Sequence, residues 1–145
     1  MDTFTAMEIS GSALKAERAR LNIAAMNLAN ANTTRTMEGG PYKAKSVVFE
    51  AKPLDGVNFQ DTLNSTTERL RKVEVVQISE DKAPFKEIYD PSHPDADANG
   101  IVRFPNVNVA EQMVDMMSAR RSYEANVTAL DAAKSMALKA LDIGR

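Results

Sequence analysis

The chain has 145 residues, 43% of them hydrophobic and 26% charged, with a formal net charge of -2. This composition suits one modest folded unit, and it excludes a wholly disordered chain and a strongly basic nucleic-acid binder. Cysteine is absent, which excludes disulfides and thiolate metal ligands. No apolar run reaches the roughly 18 residues that suggest a membrane span. No apolar run near the start has the pattern of a cleaved secretion signal.

An N-terminal helix is predicted from about Phe4 to Ala31, because this stretch lacks proline and is rich in alanine. Its larger apolar side chains recur every seven residues, a repeat that keeps one apolar seam facing a partner. Gly11 is a weak point, since glycine in a helix costs about 1 kcal/mol relative to alanine. The seam consists of Met7, Leu14, Leu21 and Leu28.

The middle of the chain is predicted to be strand-like and irregular. Strands are expected over residues 42–50, 73–78 and 86–89, because these segments are β-branched and partly alternating. Gly39-Gly40-Pro41 is expected to form a turn that leads into the first strand. Residues 58–71 are polar and rich in threonine, so a loop or a weak helix is expected there.

A longer C-terminal helix is predicted to begin after Asn108, a good N-cap with Glu111 three residues later, and to end before Gly144. A helix of about 35 residues would be roughly 50 Å long. Its apolar positions follow a four-three spacing that only Arg120 and Lys134 interrupt. They are Met113, Met116, Tyr123, Val127, Leu130, Ala137 and Leu141. So long a helix needs the N-terminal helix, other subunits or both to cover its seam.

These elements predict a mainly α protein with a small β insert. The long N- and C-terminal helices are expected to pair as an antiparallel coiled-coil-like unit, with a central β-hairpin and irregular segment looped out at one end. The expected division is residues 1–32 for the N-terminal helix, 33–106 for the β-rich and loop segment, and 107–145 for the C-terminal helix.

The loop over residues 90–100 is the strongest candidate for a metal-binding or catalytic site. Asp95-Ala96-Asp97-Ala98-Asn99-Gly100 reproduces the first half of an EF-hand calcium loop, but Asn106 stands where a bidentate glutamate is required. His93, the only histidine, follows Ser92, yet neighbours on one proline-locked loop point apart and do not form a catalytic triad. A polar turn is favoured, and no catalytic, metal or cofactor site is predicted.

Three asparagines stand where the N-terminal helix ends: Asn27, Asn30 and Asn32. Asparagine favours helix ends because it tolerates left-handed geometry and bonds nearby backbone. Three of them exceed what one cap needs, and exposed asparagines could instead bond across a subunit interface. The residues by themselves leave both interpretations open.

The stretch Asn27-Leu28-Ala29-Asn30-Ala31-Asn32-Thr33 resembles the N-terminal signature of the flagellar basal-body rod and hook proteins. Residues 103–109, with Glu111 and Met113, resemble the segment that opens their C-terminal helix, and 121–127 resemble its continuation. The loop over 89–94 and the chain length are similar to those of the proximal rod members. The motif residues are Asn27, Leu28, Ala29, Asn30, Asn32, Asn106, Asn108, Tyr123 and Asn126.

The resemblance implies a structural subunit of the flagellar rod, exported by the flagellar type III apparatus and polymerised through its terminal helices into the hollow shaft that crosses the periplasm. Residues 1–32 would carry the export signal and, like 107–145, form axial helices. The implied partners are other copies, other rod proteins, the export apparatus and inner-membrane ring components, with neither nucleic acid nor membrane insertion.

The seam residues would then make the subunit contacts: Met7, Leu14, Leu21, Leu28, Met113, Met116, Tyr123, Val127, Leu130 and Leu141. Two alternatives share parts of the pattern. A cytoplasmic coiled-coil adaptor or binding module would have the same helical ends, and a calcium-binding or hydrolytic enzyme would use the loop over 90–100.

Overall fold

The computed structural model describes residues 3–54 and 70–143. This part of the chain contains helix α1 (Thr3–Ala29) and helix α2 (Val109–Ile143), with strands between them. The strands are β1 (Lys45–Pro53), β2 (Arg71–Glu80), β3 (Lys86–Tyr89) and β4 (Ile101–Phe104). The predicted mainly α fold with a small β insert is confirmed at this level. The predicted helix end at Gly144 and most of the predicted loop over 58–71 lie outside the described residues.

Helix α1 ends at Ala29, two residues before the predicted boundary. The Asn30 side chain bonds the Met26 carbonyl oxygen through Nδ2 at 2.9 Å, which satisfies one of the carbonyls left open at a helix end. The chain then turns, with the Thr33 amide donating to the Asn30 carbonyl at 3.1 Å. The helix-ending role of asparagine therefore applies to Asn30.

Helix α2 begins at Val109, directly after its predicted N-cap. The Asn108 Oδ1 atom accepts hydrogen bonds from the amides of Ala110 at 3.2 Å and Glu111 at 3.5 Å. These amides are among the donors that the first turn of a helix leaves unsatisfied. The predicted cap is confirmed.

Strands β1 and β2 form one two-stranded sheet, and β3 and β4 form another. Cross-strand ion pairs join Lys45 to Glu80 at 3.7 Å and Lys52 to Glu74 at 2.8 Å, an order that requires β1 and β2 to run antiparallel. The bond from Glu74 raises the pKa of the Lys52 ammonium above its usual value.

Strands β3 and β4 are also antiparallel, with Lys86 opposite Phe104 and Tyr89 opposite Ile101. The sequence predicted β3 but not β4, which is only four residues long and lies between an Asn-Gly turn and Pro105. Pairing with β3 makes it a strand, and its Val102 is fully buried.

The contacts of the described residues group into two compact units. Of the described residues, the first unit draws on 3–19, 48–54, 70–77 and 119–143, and the second on 20–47 and 78–118, so both helices contribute to each. Buried apolar residues of the first unit are Ala16, Ala119 and Ala133. Those of the second are Ile23, Ala24, Tyr42, Ala44 and Val102. No helix in the described ranges has an apolar stretch that could cross a membrane.

Gly100 closes the loop over 90–100 at a position where a residue with a side chain would meet two obstacles. Its φ is +74°, and a Cβ there would lie 2.9 Å from Cε2 of Tyr89 and 3.2 Å from Cβ of Pro91. Its amide donates to the Asp97 carbonyl at 2.8 Å and its carbonyl accepts from Asp90 at 2.9 Å, so it cannot shift freely. The turn requires glycine for both backbone and steric reasons.

We therefore expect Gly100→Ala to lower the free energy of unfolding by about 2 kcal/mol or more, measured by urea unfolding of the purified chain. Gly39→Ala is the matched control, because Gly39 has a φ of +88° but open space around its Cβ position. It carries only the backbone penalty of about 1 kcal/mol. Equal losses in the two variants would contradict the steric argument.

Candidate functional site

Asn27 is the only buried polar residue among the described residues, and its side chain is 1% exposed. Its Oδ1 accepts from the Tyr42 hydroxyl and from the Lys45 amide, both at 2.9 Å. Its Nδ2 donates to the Lys45 carbonyl at 2.7 Å and to Gln112 Oε1 at 2.9 Å. All four hydrogen-bonding positions of the amide are thus used inside one chain, as burial demands.

The backbone that leads into β1 is held by a second motif asparagine. Asn106 Oδ1 accepts from the Ala44 amide at 3.0 Å, one residue before the segment that Asn27 bonds. The two asparagines are far apart in sequence, and both act on the same short stretch of main chain. Burial and the nearby Glu80 carboxylate raise the pKa of the Tyr42 phenol, which keeps its proton available for Asn27.

Within the second unit, α1 and α2 are joined by two polar contacts. Arg20 meets Asp115 at 2.8 Å, and Asn27 meets Gln112 at 2.9 Å. Moving forward along α1 therefore means moving backward along α2, which is the order of an antiparallel pair. The Arg20–Asp115 pair is partly exposed, so its contribution to stability is small compared with the buried amide network.

The remaining motif residues act locally. Asn30 caps the end of α1, Asn108 caps the start of α2, and Asn126 Nδ2 donates to the Ser122 carbonyl at 2.9 Å. Asn32 and Ala29 are exposed, whereas Leu28 and Tyr123 are half-buried. Asn27, Asn30 and Asn108 therefore make bonds within the subunit that need no second chain.

The apolar seam of α2 follows a slightly different path from the predicted one. Ala119 and Ala133 are buried, at 0% and 2% exposure, next to the exposed Arg120 and Lys134 that interrupted the predicted spacing. At each interruption the buried position is therefore the preceding residue, Ala119 in place of Arg120 and Ala133 in place of Lys134. The small alanine side chains allow a neighbouring segment to approach closely.

The structure distributes the predicted packing residues over two environments. Half-buried positions are Met7, Leu14, Leu21, Leu28, Met116, Tyr123, Val127 and Leu130. Met113 and Leu141 are exposed, at 47% and 71%. Contacts of these residues with other subunits stay a prediction.

The polar loop over 90–100 uses its side chains for its own turns. The Ser92 hydroxyl donates to Asp90 at 2.5 Å, and His93 Nδ1 accepts from the Asp95 amide at 3.1 Å. The serine bond lowers the pKa of the Asp90 carboxyl. Since Ser92 bonds the aspartate and the histidine bonds a backbone amide, the three do not form a serine–histidine–aspartate relay.

The two aspartates of the calcium-like motif are engaged with other groups. Thr34 Oγ1 donates to Asp95 Oδ2 at 2.8 Å, and Asp97 lies 4.0 Å from the Arg103 guanidinium. Across residues 3–54 and 70–143, no three acidic or histidine side chains lie close enough together to hold a metal ion. The loop is a structured connection between β3 and β4.

We expect Asn27→Leu to lower the free energy of unfolding by about 3 kcal/mol, because it leaves buried groups of Lys45, Tyr42 and Gln112 without partners. The measurement is urea unfolding followed by circular dichroism. Asn32→Leu makes the same chemical change at an exposed position and should alter stability by no more than about 0.5 kcal/mol. Similar losses in both variants would show that the Asn27 network is unimportant.

Comparison with known proteins matches both ends of the chain to flagellar families. Residues 7–35 match the family described as flagella basal body rod protein, and residues 98–143 match the one described as flagellar basal body rod FlgEFG protein C-terminal. The matched segments include Asn27 and Gln112, which meet in the buried amide network.

Three relatives that match nearly the whole chain carry the same name. The flagellar basal-body rod protein FlgC of Bacillus subtilis is 43% identical over 153 residues and covers 100% of both chains. FlgC of Salmonella typhimurium is 45% identical over 138 residues, covering 95% of each chain. FlgC of Borreliella burgdorferi is 39% identical over 151 residues, covering 99% of this chain and 98% of its own. The chain therefore belongs to the FlgC family of flagellar basal-body rod proteins.

Proposed function

We propose that this protein is a structural subunit of the proximal part of the flagellar basal-body rod. It leaves the cytoplasm through the flagellar type III export apparatus and polymerises through its terminal helices. Its partners are other copies, other rod proteins, the export apparatus and the inner-membrane ring. The role requires no cofactor and no catalysis. Full-length similarity to FlgC proteins and the exposed apolar surface of α2 support this proposal.

The observation that carries the polymerisation step lies in the last two turns of α2. Met136, Leu138, Leu141 and Ile143 are between 54% and 86% exposed. Residues two apart on a helix differ by about 200° around its axis, so Met136 and Leu138 face opposite sides. A helix that is apolar on opposite sides needs cover from more than one direction, as a position inside a wall of packed subunits would supply.

Packing of the helices against other subunits also accounts for the half-buried seams. Met7, Leu14, Leu21 and Leu28 retain part of their surface in the single chain, and so do Met116, Tyr123, Val127 and Leu130. A coiled-coil-like pairing of α1 with α2 would cover one side of each seam, and neighbouring copies would cover the other. Burial of the remaining apolar surface then offsets the entropy of ordering the chain ends during assembly.

The geometry of such an assembly follows from the contact type. When a surface of one copy binds a different surface of the next, the contact is heterologous, and repetition produces a helical array rather than a closed pair. A tubular rod requires this arrangement. The chain offers different apolar surfaces on α1 and α2, whereas an isologous dimer would need one self-complementary surface.

Deletion of the gene tests the role in the rod. We expect basal bodies that stop at the inner-membrane ring and loss of secreted hook and filament protein, measured by electron microscopy and immunoblotting. The complete chain should restore rods, and a chain without residues 1–32 should not. Normal basal bodies and motility in the deletion strain would contradict the proposal and favour a cytoplasmic adaptor.

Leu130→Asp tests the α2 seam. Leu130 is half-buried in the single chain, and a charge in a packed apolar seam carries a large desolvation penalty. We expect this variant to be exported but not incorporated into rods, with complete loss of swimming in soft agar. Leu130→Met keeps an apolar side chain of similar volume and should swim normally. Normal swimming of Leu130→Asp would remove Leu130 from the subunit contact.

A further inference from the structure

The loop over residues 90–100 closes on Asn99-Gly100, the only asparagine–glycine pair in the sequence. Such a pair is especially open to deamidation, because glycine has no side chain that shields its backbone nitrogen from the neighbouring amide. Asparagine is accordingly counted among the thermolabile residues. Asn99 is exposed to solvent, so its side chain is accessible. The pair is therefore a candidate modification site, and its fate depends on the backbone of Gly100.

Gly100 is buried, and the fold holds both of its backbone polar groups. Its amide donates to the Asp97 carbonyl at 2.8 Å, and its carbonyl accepts from the Asp90 amide at 2.9 Å. The space beside its Cα is also filled, since a Cβ there would lie 2.9 Å from Tyr89 and 3.2 Å from Pro91. The loop therefore fixes the nitrogen that a deamidation reaction would use.

Deamidation of the pair consists of two steps. In the first, the Gly100 nitrogen loses its proton and bonds to Cγ of Asn99, and the Asn99 side-chain nitrogen leaves as ammonia. The product is a five-membered succinimide ring. In the second, water adds to one of the two ring carbonyl carbons and breaks its bond to the ring nitrogen. The result is either aspartate or isoaspartate at position 99, and each carries a negative charge that asparagine lacks.

The folded loop opposes the first step in two ways. Loss of the proton removes the hydrogen bond from Gly100 to Asp97 and sets a negative nitrogen against the carbonyl oxygen 2.8 Å away. Burial of Gly100 also keeps away the hydroxide or buffer base that must remove this proton. Both obstacles disappear when the loop opens, so the reaction rate follows the population of the open loop.

We propose that Asn99-Gly100 is a deamidation site that the folded loop suppresses and that unfolding exposes. The site lies within the single chain, so it depends neither on assembly of a rod nor on the proposed function. The turn thus protects a reactive pair in addition to joining β3 to β4. Any condition that keeps the chain unfolded leaves the pair unprotected.

Isoaspartate at position 99 is incompatible with the native turn. Its main chain runs through the former side-chain carbons, which adds one methylene group directly before Gly100. Gly100 has no room to shift, because Tyr89 and Pro91 lie against it. Val102, two residues further along β4, is fully buried and must keep its place. Deamidation of the unfolded chain therefore makes the loss of the fold irreversible.

Peptide mass spectrometry of the purified chain tests the site, with one sample kept native and one kept in urea at the same mildly alkaline pH. We expect aspartate and isoaspartate to accumulate at position 99 at least about tenfold faster in urea, because the native reaction requires the loop to open. Asn106 is the internal control and should remain an amide in both samples, since the branched Val107 that follows it shields the backbone nitrogen. Equal rates at position 99 in the two samples, or no reaction there in urea, would overturn the proposal.

Refolding tests the consequence for the turn. Portions of the urea sample are diluted after increasing times, and recovery of the fold is measured by circular dichroism. We expect the unrecovered fraction to match the fraction of isoaspartate at position 99. Asn99→Gln is the matched variant and should refold fully after the same treatment, because glutamine would have to close a less favourable six-membered ring. Asn99 is exposed, so this change leaves the native packing intact. Full refolding of chains that contain isoaspartate, or an equal loss in Asn99→Gln, would contradict the incompatibility with the turn.

Discussion

The buried amide of Asn27 is the interaction on which the second unit depends. One side chain bonds the backbone at the start of β1, the phenol of Tyr42 and the amide of Gln112 on α2. A buried amide with all its positions satisfied tolerates only a narrow set of neighbours, so it defines how these segments meet. Asn106 reinforces the same stretch by accepting from the Ala44 amide. The motif residues Asn27 and Asn106 thus stabilise the fold of the single chain.

Small residues fill the interior of the first unit, while larger apolar side chains stay accessible. Ala16, Ala119 and Ala133 are buried there, whereas Leu141 and Ile143 are more than two-thirds exposed. Alanine contributes little apolar area, so such a core stabilises a single chain weakly, but it allows close helix contacts. The larger side chains stay accessible, as the proposed contacts with other chains would require. This division between the inside of the subunit and its surroundings is what a polymerising protein requires.

The loop over residues 90–100, whose sequence resembles the first half of a calcium-binding loop, has a structural role. Asp95 accepts a hydrogen bond from Thr34, and Asp97 lies near the Arg103 guanidinium. His93 accepts a hydrogen bond from the Asp95 backbone amide. Its ring lies edge-on to that of Phe104, with ring centroids 6.1 Å apart. These groups join the loop to β4 and to the segment after α1. Gly100 completes the connection at a backbone angle that other residues adopt only under strain. The loop therefore shapes the surface of the second unit.

The sequence by itself determined the features that depend on neighbouring residues. These include both helices, the Asn108 cap, strand β3 and the glycine turns, because helix period, capping and turn chemistry act over a few residues. Only the tertiary structure decided which distant groups meet. Strand β4 forms because β3 lies beside it, and the seam of α2 moves onto Ala119 and Ala133 because close packing selects small side chains. The choice for Asn27 between a helix cap and an intersubunit bond was open in the sequence, since its partners Lys45 and Gln112 come within hydrogen-bonding distance only when the chain folds.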